Sequence, residues 1–210
     1  MKPIRRVLIL APHTDDGELG CGGTIARLCA EGREVYYVAF SAAEESVPRE
    51  FSRDALRKEV LLATGTLGIL QNRVKVLKYP VRQFGKYRQE ILEDMVRLRN
   101  FLQPDLVFLP ASGDTHQDHA VVNAEGRRAF RHISLLGYEA PWNQAGFHPG
   151  CFVSLKKSHL ERKIAALRRY KTQQHRPYFA EDFVRSLARM RGVQAGVELA
   201  EAFEVLRWVL

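Results

Sequence analysis

Short apolar blocks alternate along the first 110 residues with longer segments whose apolar positions recur every three or four residues. Arg6–Ala11 reads as a buried strand, its Val-Leu-Ile-Leu run ended by Pro12. Thr24–Glu31 reads as a helix stopped at Gly32, and Glu34–Ser41 (EVYYVAFS) as a second strand rich in β-branched and aromatic residues. Leu56, Val60, Ala63 and Leu67 recur at helical spacing ahead of Gly68. A third strand is expected over Arg73–Tyr79, a helix over Ile91, Met95, Leu98 and Leu102, and a fourth strand over Leu106–Leu109, closed by Pro110. Strands alternating with helices predict an α/β fold: a parallel sheet covered on both faces, with ligands outside the carboxyl ends of the strands.

Residues 132–155 read as looser, with Gly137, Pro141, Gly146, Pro149 and Gly150 around a Phe152–Leu155 strand. Leu160, Ile164, Leu167 and Lys171 then describe an amphipathic helix, and Phe203–Leu210 an apolar ending. No internal repeat or Gly/Ser linker appears. The expectation is one domain over residues 1–210, with 132–210 as its less regular, basic part.

Composition narrows the class. With 46% hydrophobic and 27% charged residues among 210, the chain is neither disordered nor fibrous. Apolar runs such as Val7–Pro12 are far too short to span a bilayer, and no signal-like region follows Lys2, Arg5 and Arg6. A soluble, cytoplasmic protein is expected. Cys21, Cys29 and Cys151 lack metal-type pair spacing, so they are expected to be buried and reduced.

The net charge of +8 is concentrated. Between Lys156 and Arg191 eleven Lys and Arg face three acids, a surplus equal to that of the whole chain. Such a segment would suit a phosphorylated or nucleotide-linked substrate. It matches no nucleic-acid motif and carries no aromatic stacking pattern, so no nucleic-acid partner is expected.

Two clusters carry chemistry. APHTDDGELGCGGT (residues 11–24) begins at the carboxyl end of the first strand and supplies His13, Asp15, Asp16 and Glu18 within six residues. So many acids in one turn repel unless a cation or hydrogen bonds offset them. Gly17, Gly20, Gly22 and Gly23 do not fit G-x-G-x-x-G, which rejects a dinucleotide site and leaves glycines that let a helix start close against the sheet. DTHQDH (residues 114–119) follows the fourth strand and should emerge on the same rim. Its His116 and His119 are three apart, with Asp118 between them as a supporting partner. Two histidines and a carboxylate from two strand ends make an open metal site of the catalytic zinc type. His132, His148, His159 and His175 stand alone and are given no role.

These clusters resemble the H-P-D-D-x-E-L-G-C-G-G and H-x-D-H motifs of the PIG-L/LmbE-like de-N-acetylase family, in the same order and strand context. GVELAEAFEVLR (Gly196–Arg207) is similar to the usual family ending. The resemblance implies an LmbE-like fold: a Rossmann-like three-layer sandwich around a mostly parallel sheet. It also implies a zinc-dependent hydrolase that removes acetyl from N-acetylglucosamine groups in small thiols, glycolipids, oligosaccharides or antibiotics. Carried over by motif position, His13, Asp16 and His119 would be the zinc ligands and Asp15 the general base. His116 would be electrostatic stabiliser and acid, tuned by Asp118, and Glu18 a supporting or structural residue. Zn2+ is the expected ion, with Fe2+ as the alternative. Relatives are often oligomers.

Three positions depart from the family pattern. Thr14 replaces a usual proline, which should loosen the turn. Asp114 stands where some relatives place an oxyanion-assisting tyrosine, and Arg57 is one residue out of register with an arginine that holds the sugar. A carboxylate near His116 should keep it protonated at neutral pH, which with Asp15 predicts a bell-shaped pH profile. The leaving amine would be protonated by His116 or by Asp15. Competing readings are an amidase for another N-acyl amino sugar, a non-haem Fe(II) oxygenase built on the same three ligands, and a basic nucleic-acid-binding module. Tyr138, Trp142 and Phe147 are candidates to stack on a sugar ring or to fill the core.

Overall fold

The computed structural model describes residues 4–209. In chain order the elements are β1 (Arg6–Ala11), α1 (Asp16–Ala30), β2 (Glu34–Ala39), α2 (Ala55–Leu67), β3 (Val74–Val76) and α3 (Arg88–Leu102). Then follow β4 (Leu106–Pro110), α4 (Gln117–Ala129), β5 (Ser134–Tyr138), β6 (Cys151–Ser154), α5 (Lys157–Leu167), α6 (Glu181–Ala195) and β7 (Ala200–Arg207). The strands form one sheet in the order β3-β2-β1-β4-β5-β7-β6. The first five run parallel, and β7 is antiparallel to both of its neighbours. This is the expected Rossmann-like, three-layer α/β sandwich.

Strand β1 shows why the sheet has two cores. Val7, Ile9 and Ala11 pack with Ile25 of α1, Val60 of α2 and Ile164 of α5 on one face. Leu8 and Leu10 pack with Ile91 and Met95 of α3 and Val122 of α4 on the other. A strand buried on both faces has no polar side to show, so it reads as the continuous apolar run seen in the sequence. The chain steps from β1 through β2 to β3, then returns to β4 on the opposite side of β1. The carboxyl ends of β1 and β4 therefore flank the crevice where the strand order reverses.

Several boundaries move. Helix α1 starts at Asp16 rather than Thr24, because its glycines serve close packing: a Cβ at Gly20 would lie 2.3 Å from Cδ2 of Tyr138. It kinks at Cys21 (φ −144°), and beyond the kink the amides of Gly23 and Thr24 donate to the Glu201 carboxylate at 3.0 and 2.6 Å. Residues 132–155 are more regular than expected, containing both β5 and β6. Helices α4 and α6 were not anticipated: buried Asp118, His119, Asn123 and Glu125 break the apolar period of α4, and charge dominates α6. The third strand shrinks to Val74–Val76, α5 ends at Leu167, and of the apolar ending Leu210 lies outside the described residues. All three cysteines are free, Cys21 buried and the other two half-buried. Among the described residues no helix is long and apolar enough to cross a membrane.

Candidate metal centre and active site

The turn after β1 and the first turn of α4 meet in the crevice. His13 comes from the former, with Asp16 opening α1, and His119 sits in α4 behind β4. Asp16 Oδ2 lies 3.2 Å from His13 Nδ1 and 3.2 Å from His119 Nε2. One ligand atom from each of the three falls within 4.8 Å of the others.

The outer nitrogens are engaged as well. His13 Nε2 lies 3.0 Å from Asp118 Oδ2, and His119 Nδ1 lies 2.7 Å from Asp114 Oδ2. A carboxylate on the far nitrogen fixes ring orientation and raises donor strength, the usual support of a metal-ligating histidine. Both histidines thus turn their other nitrogen toward one carboxylate oxygen, and this donor set fits a divalent transition ion. His13, His116 and Asp118 form a second close group. There the Asp118 carboxylate already accepts from the amides of Arg82 (2.6 Å) and Phe84 (3.2 Å), which makes it the poorer cradle.

Electrostatics follow the same layout. Burial disfavours the His13 imidazolium, but Asp118 and Asp16 outweigh it and raise its pKa to about 9. Burial is likewise outweighed at His119, which Asp16 and Asp114 raise to about 10. Asp16 is held well below the usual carboxylate range: burial opposes this, but His119 and His13 prevail. Asp15, the N-cap residue of α1, is pushed up to about 6 by burial and by the charge of Asp16. Its carboxylate accepts no hydrogen bond from another described residue.

His116 corrects one expectation. Its Nδ1 accepts the backbone N–H of Asp118 at 3.2 Å, capping α4, so the ring hydrogen is assigned to Nε2. The Asp118 carboxylate faces His13 instead. Burial and the neighbouring His119 and His13 lower the His116 pKa, so it is neutral at pH 7 rather than held protonated. Asp118 is itself lowered: burial opposes this, and the His13 and backbone hydrogen bonds overcome it.

Thr14 is held through its backbone. Its carbonyl accepts from Tyr37 (2.8 Å) and Tyr170 (2.6 Å), whose hydroxyls also contact the buried Glu18 carboxyl. Burial raises Glu18 to about 8 against both of those hydrogen bonds. Glu18 therefore braces the turn from beneath. Arg57 lies outside the catalytic cavity, in an adjoining one, where it pairs with Glu44 and donates to the carbonyl of Val76.

The cavity at this candidate site, about 430 Å³, is lined by His13, Asp15, Asp16, His116 and His119, and also by Arg82, Trp142, Gln173, Arg176 and Tyr178. Trp142 stacks on Tyr178 with ring centroids 4.2 Å apart and planes 9° from parallel. Tyr138 is core, its hydroxyl on the carbonyl of Leu10, and Phe147 lies under Arg191. Sequence reading missed Asp114 as the partner of His119, and Arg176 as a cavity residue. Only an acid five residues before the ligand histidine could have signalled the first.

Residues 8–130 match the PIG-L family, described as GlcNAc-PI de-N-acetylase. The deacetylase YaiS of Escherichia coli K12, itself uncharacterised, is 30% identical over 79% of this chain and 90% of its own. A diacetylchitobiose deacetylase from Thermococcus kodakarensis is 25% identical over 94% of this chain and 82% of its own. Among solved structures, the conserved protein TT1542 of Thermus thermophilus superposes with a TM-score of 0.80 at 26% identity, over 97% of this chain and 96% of that one. The 4-carboxy-2-hydroxymuconate hydratase GalB of Pseudomonas putida shares the fold alone, with a TM-score of 0.78 at 20% identity over 99% of this chain and 98% of that one. The motifs, their convergence at one sheet rim and these matches agree: the chain belongs to the PIG-L family of de-N-acetylases.

Proposed function

We propose that residues 1–210 act as one metal-dependent deacetylase domain that hydrolyses the N-acetyl group of an N-acetylglucosamine-type amino sugar. The observation that carries this reading is the pairing of a supported His13–Asp16–His119 donor set with the Asp15 carboxylate, which accepts no hydrogen bond from another described residue. His13, Asp16 and His119 would hold the ion, with Zn2+ the first choice and Fe2+ the alternative. Zinc held there would supply Lewis acidity, polarising the acetyl carbonyl and lowering the pKa of a bound water to ~7.

The remaining work falls to the chain. Asp15 takes a proton from the attacking water as the new C–O bond forms. The resulting oxyanion accepts a hydrogen bond from His116 Nε2–H. Asp15 returns the proton to the sugar nitrogen as the C–N bond breaks, leaving a free amine and acetic acid, which loses its remaining proton to solvent. A neutral His116 has no extra proton to give, which favours Asp15 as both base and acid. The GlcNAc-type substrate class is supported by the family description and by the diacetylchitobiose relative.

The test is primary-amine release from N-acetylglucosamine as free sugar, glycoside, oligosaccharide and nucleotide sugar. Wild type with one equivalent of zinc should release amine from at least one. Asp15→Asn should bind zinc equally and lose about 10²–10⁴-fold in kcat. Full activity in Asp15→Asn would remove it from the reaction.

A further inference from the structure

The basic segment 156–191 is less free than its charge suggests. Lys157 pairs with Glu198, Lys163 with Glu201, Arg168 with Glu181, Arg185 with Glu161 and Glu181, and Arg191 with Glu139. Arg176 differs. Of the segment's eleven cations it alone lines the cavity beside the candidate metal centre, and among the described residues no carboxylate lies within 4.0 Å of it to form an ion pair. Its Nη1 donates to the Tyr178 hydroxyl, its Cζ stands 5.8 Å from that ring centroid, and its Nε is buried with no hydrogen-bond partner. The Trp142–Tyr178 stack fixes the ring that holds it.

A guanidinium is always charged and offers five N–H donors with no acceptor. Leaving a buried donor unmet is costly, so such a group marks a place where an acceptor arrives. A planar fork of donors best fits the paired oxygens of a phosphate or carboxylate. A second cation faces the same space: Arg82, exposed, has no side-chain partner among the described residues. Its backbone is held at φ +64° by the hydrogen bond from its amide to Asp118 Oδ2, so the loop that carries it is tied to the catalytic cluster.

Building on the deacetylase reading, we infer that the substrate is an acidic amino sugar whose phosphate or carboxylate is received by Arg176. Asp15 lines the same cavity and feels the Arg176 charge. A substrate anion docked there lies close enough to orient the acetamido group toward Asp15 and His116. Arg176 is thus a specificity residue, touching the substrate away from the bond that breaks.

The test is kcat/KM of the zinc-loaded protein for four probes: N-acetylglucosamine, its 1-phosphate, its 6-phosphate and N-acetylmuramic acid. Wild type should prefer at least one acidic probe to the neutral sugar by about tenfold to hundredfold. The two phosphates and the carboxylate then distinguish which anion is read. Arg176→Gln should collapse that ratio to near unity, chiefly through KM, and Arg176→Lys should keep part of it. Arg168→Gln, an exposed and paired arginine of the same segment, should leave the ratio unchanged. If Arg176→Gln fails to fold, Arg176→Lys carries the comparison. A wild type that deacetylates the neutral sugar as well as every acidic probe overturns the inference and leaves the deacetylase intact. So does a preference that survives both Arg176 variants. Release from none of the four, with zinc confirmed bound and amine released from a neutral glycoside or oligosaccharide, overturns the inference and leaves the deacetylase; release from none of these compounds overturns both.

Discussion

Asp114 and Asp118 each hold one candidate ligand histidine by the nitrogen that does not face Asp16. Replacing either by asparagine keeps the shape but loses the charge, and should weaken zinc binding about 10–100-fold in a chelator competition. Undiminished affinity in both variants would separate these carboxylates from the metal. In the metal-free protein His13 and His119 are raised to about 9 and 10, so both carry protons at pH 7. Zinc must displace them, and its apparent affinity should climb with pH between 6 and 9, with proton release measurable in weakly buffered solution. The sign for stability follows from the same shifts. Raised histidines stabilise the metal-free fold below their ordinary pKa of 6.5, and that contribution fades as pH rises through 9. The gain in melting temperature on adding zinc should therefore be larger at pH 8.5 than at pH 6. The two candidate ligand histidines were legible in the sequence because acids crowd them at both strand ends. The partner of each was not, because spacing does not say which nitrogen a nearby carboxylate meets. Asp118 sits two residues from His116, yet its carboxylate faces His13 across the crevice.

At the level of elements, α1 is a broken helix stitched together from the far end of the chain. Glu201, on β7, accepts from the amides of Gly23 and Thr24 beyond the kink and pairs with buried Lys163 on α5 at 2.7 Å. Glu201→Ala would leave two amides without their acceptor and the buried Lys163 ammonium with the Leu19 carbonyl but no counter-charge, and should destabilise the protein by about 3–5 kcal/mol in denaturant titration. A loss below 1 kcal/mol would show the kink to be self-supporting. The buried Thr14 hydroxyl, by contrast, has no partner among the described residues. Thr14→Val should leave stability unchanged or raise it by up to about 1 kcal/mol. Strands β1, β2 and β4 were readable because burial on both faces writes a continuous apolar run. Helices α4 and α6 were hidden for the opposite reason. Buried Asp118, His119, Asn123 and Glu125 put polar groups where a core-facing helix normally shows apolar ones. Glu125 is tolerated there only because Arg88 and Arg128 close on it.

Across the whole molecule, reversal of strand order places both motifs at one rim, and this much the sequence pattern alone anticipates. The fold by itself does not choose the reaction, since the GalB hydratase shares it. The choice rests on the residues at the rim and on the family match. Around α5 and α6, Lys163, Arg168, Arg185 and Arg191 each pair with a carboxylate, which leaves less of the basic segment free to meet a phosphate backbone. A gel-shift titration with duplex DNA should show no salt-sensitive binding at micromolar protein. The most direct test of the central claim is acetate release from a GlcNAc-type substrate as zinc is added stepwise to chelator-stripped protein. Activity should be absent at the start and reach its plateau at one equivalent, with His13→Ala and His119→Ala silent throughout. Full activity in the stripped protein, or activity that ignores the added metal, would contradict the account.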